Sequence, residues 1–113
     1  MLKKPKRVKL PKYLIAYKLY NGCNFCLFGF LLNKAGVPKK AIEHMTNLGY
    51  DKYNKDTKYK DNIYNPEKII CKIYNISKNQ MISLMQKNDE TTEKDRIELL
   101  KNFLNNRGIK YYL

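Results

Sequence analysis

Hydrophobic residues are densest between Cys23 and Leu32, where only Asn24 and Gly29 interrupt them. A helix that is apolar on nearly every side is a buried central helix. Gly36 suits the left-handed position that closes a helix, and Pro38 cannot continue one. The pattern therefore predicts a central helix over about residues 22–34, with the other segments packed around it. A second helix is expected from Pro38 to Gly49, with Ala41, Ile42, Met45 and Leu48 on one face. Before the central run, Pro11 at a first helical position and Gly22 as a stop favour a helix over residues 11–21. The aromatic and β-branched content there leaves a strand as the alternative.

Further along, Asn65-Pro66-Glu67 reads as a helix start. Ile69, Ile70, Ile73 and Tyr74 then share one face. Ser77 with Gln80 three residues on has the spacing of a capping box, and Ile76, Met81, Leu84 and Met85 supply that helix's apolar contacts. Asn88-Asp89-Glu90 interrupts the pattern. Thr92, with Asp95 three residues on, caps a last helix whose apolar stripe is Ile97, Leu100, Phe103 and Leu104. Arg107 and Gly108 close it. The remaining Ile109-Lys110-Tyr111-Tyr112-Leu113 reads as a short strand. A lone strand needs a partner, and Arg7–Leu10 and residues 62–64 are the candidates. Residues 50–64 lack hydrophobic periodicity and read as a long surface loop.

The expected fold is mainly α, a small α+β domain spanning residues 1–113. It has about four to six short helices around the central apolar helix, and a two- or three-stranded patch that includes the C-terminal strand.

Charge changes this picture more than composition does. The formal net charge is +13, and no acidic residue precedes Glu43. Ten of the 23 lysines and arginines lie before that point. One end of the molecule is therefore expected to be strongly positive and the other nearly balanced. Residues 1–10 read as a basic arm with two readings, a polyanion-binding arm or a solvated terminus. The candidate binding residues are Lys3, Lys4, Lys6, Arg7, Lys9 and Lys12, with Lys39 and Lys40 at the second helix. Tyr53, Lys58, Tyr59 and Lys60 join them, because tyrosines interleaved with lysines can stack bases and hold phosphates. The alternative for that loop is a solvated segment whose tyrosines lie back on the surface. Part of the lysine excess matches the composition of an AT-rich genome.

No apolar run approaches the roughly 20 residues of a membrane span. No apolar segment with a cleavage site follows the basic start, so neither a membrane nor a secretory signal is expected. Three cysteines argue against a disulfide framework, and the expected location is cytoplasmic.

The cysteines raise three chemistries. Cys23, Cys26, His44 and Cys71 could supply a tetrahedral zinc site, but the second ligand pair is widely split. The Cys23–Cys26 pair could be a redox couple, without the strand–helix pattern of a thioredoxin-like fold. Cys26 with His44 could be a nucleophile and base, with no evident group to orient the histidine. Packing is favoured over all three, with both Cys23 and Cys26 buried in the apolar helix. No cofactor is expected, and no phosphate-binding loop or calcium loop occurs.

Two stretches resemble a family of small uncharacterised phage and prophage proteins. One is Cys26-Leu27-Phe28-Gly29-Phe30-Leu31-Leu32 followed by Ala35-Gly36-Val37. The other is Leu84-Met85 with Asn88-Asp89, then Arg96, Phe103 and Gly108-Ile109 before the terminal strand. That family pairs a Cys-Cys-Leu-Gly-Phe helix start with a later Asn-Asp and a closing helix, Gly-Ile and strand. Here the cysteines are not adjacent, and Phe28 separates Leu27 from Gly29. The resemblance implies a mobile-element origin and a role for Asn88 and Asp89 in the turn before the last helix, through bonds to local backbone.

The expected function is that of a small basic, non-enzymatic binding protein. Its partner is an acidic protein surface or a nucleic-acid-bound host complex in the host cytoplasm. The most concrete form is an inhibitor of a nucleic-acid-dependent defence system, similar to an anti-CRISPR protein. The alternatives are a direct DNA- or RNA-binding accessory protein and a small cysteine-dependent enzyme.

Overall fold

Helix α1, Leu27–Lys34, is the centre of the fold, and six of its eight residues are buried. The structure is a computed structural model and describes residues 2–45 and 66–113. Before α1 lies strand β1, Arg7–Lys9. After it come α2 (residues 39–45), α3 (Pro66–Tyr74), α4 (Lys78–Glu90), α5 (Glu93–Asn106) and strand β2 (Lys110–Tyr112). The mainly helical fold with a small strand patch agrees with the pattern of the sequence.

Three helix ends form as the sequence predicts. Gly36 takes a φ of 113°, and the Val37 N–H reaches back to the Leu32 carbonyl while Gly36 bonds to Asn33. This satisfies carbonyls that the last turn of α1 leaves free. Ser77 and Gln80 form the reciprocal capping box at 3.1 and 2.9 Å. The Thr92 hydroxyl accepts from the Asp95 N–H at 3.3 Å.

The start of α1 differs from expectation. The helix begins at Leu27 rather than near residue 22, with Cys26 as its N-cap. Residues 20–25 form a tight reversal instead. Tyr20 bridges antiparallel to Phe25, and the Asn21 side chain accepts from the Cys23 and Asn24 N–H groups. An asparagine that supplies two such bonds makes a turn more favourable than helix here.

Residues 11–21 are not helical either. Their backbone groups bond far along the chain. Ile15 N–H donates to the Phe25 carbonyl, and the Leu19 carbonyl accepts from Cys26 N–H. The Leu14 and Ile15 carbonyls accept from Arg96 and Asn88. Those tertiary partners, with Leu14 and Tyr20 buried, outweigh the weak helix propensity of this aromatic segment.

The Asn88-Asp89-Glu90 triplet also departs from expectation. It continues α4 to its last residue and does not break it. Met85, expected in the core, is 40% exposed.

The N-terminal segment is not a free arm. β1 pairs in parallel with β2, matching Arg7 to Lys110, Val8 to Tyr111 and Lys9 to Tyr112. Val8 and Leu10 are buried. Lys3 N–H bonds to the Ala35 carbonyl, which ties the segment to the end of α1 as well. The other candidate strand, residues 62–64, lies outside the described residues.

The core is one cluster that draws on every element. Tyr74 of α3 is fully buried, and its hydroxyl donates to the Leu31 carbonyl. The Phe103 ring of α5 meets it edge-on at 5.5 Å. α1 thus carries α3 and α4 on its flanks, and α5 links that core to the strand pair.

Candidate functional site: a basic sheet face and a cysteine pocket

The parallel register sorts the strand side chains onto two faces. Paired residues in adjacent strands point the same way, and neighbours along a strand alternate. Val8 and its partner Tyr111 pack inward. Arg7, Lys9, Lys110 and Tyr112 are exposed and share the outer face. The Arg7 guanidinium lies over the Tyr112 ring, 4.4 Å from its centroid. That diagonal contact between strands is a cation–π pair.

Among the described residues, Arg7, Lys9 and Lys110 have no carboxylate partner; ion pairs such as Lys78–Glu67 and Lys101–Glu98 join helix residues to one another. Described acidic residues begin at Glu43 and lie on α2, α3, α4 and α5, so none is supplied by the strands.

The other residues singled out by the sequence divide. Lys3, Lys6, Lys12, Lys39 and Lys40 are exposed. Lys3 sits beside Ala35, and Lys39 and Lys40 follow that contact by a few residues at the start of α2. Lys4 is partly committed elsewhere. Its ammonium donates to the Arg107 carbonyl at 3.1 Å and so neutralises the C-terminal end of α5. Tyr53, Lys58, Tyr59 and Lys60 lie outside the described residues.

Lys110 and Tyr112 were not singled out by sequence reasoning. The signal was present: both occupy alternate positions of a predicted strand for which Arg7–Leu10 was a predicted partner.

The second feature is a pocket of about 370 Å³ at the N-terminal end of α1. Cys26, Phe28, Met45, Met81, Asn88 and Asp89 are among its walls. The Asn88 carbonyl-type oxygen accepts from Leu27 N–H at 3.2 Å, while its amide donates to Ile15 O and to Asp89 Oδ1. Asp89 Oδ1 also accepts from Tyr17 N–H at 3.3 Å. Arg96 closes the network from α5, donating Nε to the Asn88 carbonyl and Nη1 to the Leu14 carbonyl. The resemblance implied a role for Asn88 in a local turn; instead its side chain bonds backbone 61 and 73 positions away.

The Cys26 sulfur accepts from Gly29 N–H at 3.4 Å. Burial pushes its thiol up to about 11, against a smaller opposing pull from the Gly29 and Phe28 N–H groups; Asp89 adds to the rise. At neutral pH the side chain is therefore a protonated thiol, not a thiolate. His44 is not among the groups that act on it. Cys23, expected to be buried, is exposed on the turn before α1. Cys71 is half-buried, its sulfur 4.0 Å from that of Met81. Among the described residues no group of three or more His, Cys, Asp and Glu is placed to hold a metal ion, so Cys23, Cys26, His44 and Cys71 are not assembled as a site.

These placements predict a split in reactivity. In native protein at pH 8, Cys23 is expected to react rapidly with a disulfide reagent while Cys26 stays protected; equal rates for both would contradict the burial of Cys26. The raised thiol also has a sign for stability. The folded state holds the Cys26 proton more tightly than the unfolded state, so its contribution is complete below the ordinary thiol value of 9.0 and is lost as pH rises toward about 11. Replacing Cys26 by Ala is expected to remove on the order of 2 kcal/mol of that alkaline loss in urea unfolding.

No helix among the described residues is long and apolar enough to cross a membrane. Compared with known proteins, the chain is matched by no family model, no curated protein and no solved structure.

Proposed function

We propose that this protein is a small, non-enzymatic binding protein that docks on a polyanionic partner through the outer face of β1 and β2. The observation that carries this reading is the set Arg7, Lys9 and Lys110, gathered on one exposed face with no carboxylate partner among the described residues. Cations brought together without counter-charges raise the local potential and release counterions when a polyanion binds. The charge asymmetry of the sequence adds Lys3, Lys6 and Lys12 from the same segment. Cys26, buried and held as a thiol, supports a packing role over a nucleophilic one.

The likeness of two stretches to small phage proteins supports a host partner. A nucleic-acid-bound defence complex, which presents such a polyanion, is the concrete case.

The test is a salt series. Binding of long-chain inorganic polyphosphate is followed by competition against a labelled polyanion, for the natural protein and for the triple variant Arg7→Gln, Lys9→Gln, Lys110→Gln. The variant is expected to bind more weakly, with the slope of log affinity against log salt reduced by about one for each cation that contacted phosphate. An unchanged affinity and slope would remove the sheet face as the binding surface.

A further inference from the structure

We infer that the polyanion taken by this face is single-stranded nucleic acid, with one base stacked on Tyr112. This rests on the polyanion reading above and goes beyond it, because charge alone gives the tyrosine no task. Tyr112 stands in the same row as the cations: the register places it directly beside Lys9 and two residues along from Lys110 on the same face. Its ring is held by Arg7 at 4.4 Å, yet the residue remains 43% exposed. The guanidinium thus lies against one side of the ring, and the residue stays accessible beside positive charge.

That combination fits an unpaired base better than the other anionic partners. Sites for single strands pair a positive track for phosphates with rings on which bases stack, and every base offers a π-face. A duplex keeps its bases inside the stack, so it would use Arg7, Lys9 and Lys110 and leave the ring idle. An acidic protein surface supplies carboxylates for Arg7, Lys9 and Lys110 but need offer no π-face to the Tyr112 ring. The spacing also suits one nucleotide. Arg7 and Lys9 are two strand residues apart, about 6.6 Å, comparable to a single nucleotide of an extended strand. The Arg7 guanidinium and the Lys9 ammonium can then hold successive phosphates while the intervening base turns onto Tyr112.

The experiment uses a labelled fifteen-residue oligothymidylate, with its duplex with oligoadenylate and long-chain polyphosphate as second and third probes. The variants are Tyr112→Thr, a strand-compatible residue without a ring, and Tyr112→Phe. Melting temperature confirms that both are folded; should the Thr variant not fold, Tyr112→Val takes its place. Loss of the ring is expected to weaken oligothymidylate binding about tenfold or more, to weaken polyphosphate binding far less, and to be rescued by Phe. The single strand is expected to bind more tightly than the duplex.

Undiminished oligothymidylate binding by the Thr variant would overturn base stacking while the polyanion reading stands. So would an equal loss for oligothymidylate and polyphosphate, which would mean that the ring acts only by orienting Arg7. Failure of the natural protein to bind any of the three probes would overturn both readings.

Discussion

Replacing Gly29 by Ala is expected to cost about 3 kcal/mol or more, read as a fall in the urea midpoint with an unchanged m-value. In an exposed helix the same change gains about 1 kcal/mol, because Gly is the poorer helix former. Here the geometry reverses the sign. A Cβ on Gly29 would lie 1.8 Å from the Leu19 carbonyl oxygen and 2.8 Å from its carbon. Those are backbone atoms and cannot rotate away. The Leu19 carbonyl also accepts the Cys26 N–H at 3.1 Å, so moving it unties the reversal that precedes α1. A loss below about 1 kcal/mol would show that α1 does not press this closely on residues 11–21.

The second large effect is expected at Asn88, which is 1% exposed. Asn88→Ala leaves the Leu27 N–H and the Ile15 carbonyl without their partners. A buried orphan costs roughly 1–3 kcal/mol, and the Ile15 bond is only part-buried, so a total loss of roughly 2–4 kcal/mol is expected. Asn88→Asp separates the two bonds. It keeps an acceptor for Leu27 N–H at a helix N-terminus, but it loses the donor to Ile15 and sets a second carboxylate beside Asp89. Its deficit is therefore expected to shrink as pH falls and the carboxyl takes up a proton. A deficit for Asn88→Ala no larger than that of the exposed neighbour Gln86→Ala would sink this account of the α1 start.

Both effects sit at positions that the sequence marked for other reasons. Gly29 read as a gap in an apolar run, and Asn88 as part of a turn. The residues were visible and their partners were not. The candidate binding face shows the same division. Lys6, Arg7 and Lys9 stood out because no acid surrounds them. Lys110 and Tyr112 did not, because the parallel pairing that sets them beside Arg7 and Lys9 joins the two ends of the chain. The cysteines show the opposite error. An apolar run suggested that Cys23 and Cys26 share one buried environment, whereas the Asn21 turn between Tyr20 and Phe25 leaves Cys23 exposed and Cys26 buried.

What the sequence by itself determined is local. The central apolar helix, its Gly36 end, the Ser77–Gln80 box, the Thr92 cap and the terminal strand depend on side chains and backbone a few residues apart, and those neighbours are fixed by the chain. What only the tertiary structure decided is where unpaired backbone groups go. Residues 11–21 had enough helical signal to be expected as a helix, yet their carbonyls are taken by Asn88 and Arg96 from distant helices. The basic segment could have stayed solvated, yet Val8 and Leu10 are buried, and Lys4 meets Arg107 from 103 positions away. Such bonds pay back the entropy of closing long loops only when the whole core is in place, and no short window of sequence contains both of their ends.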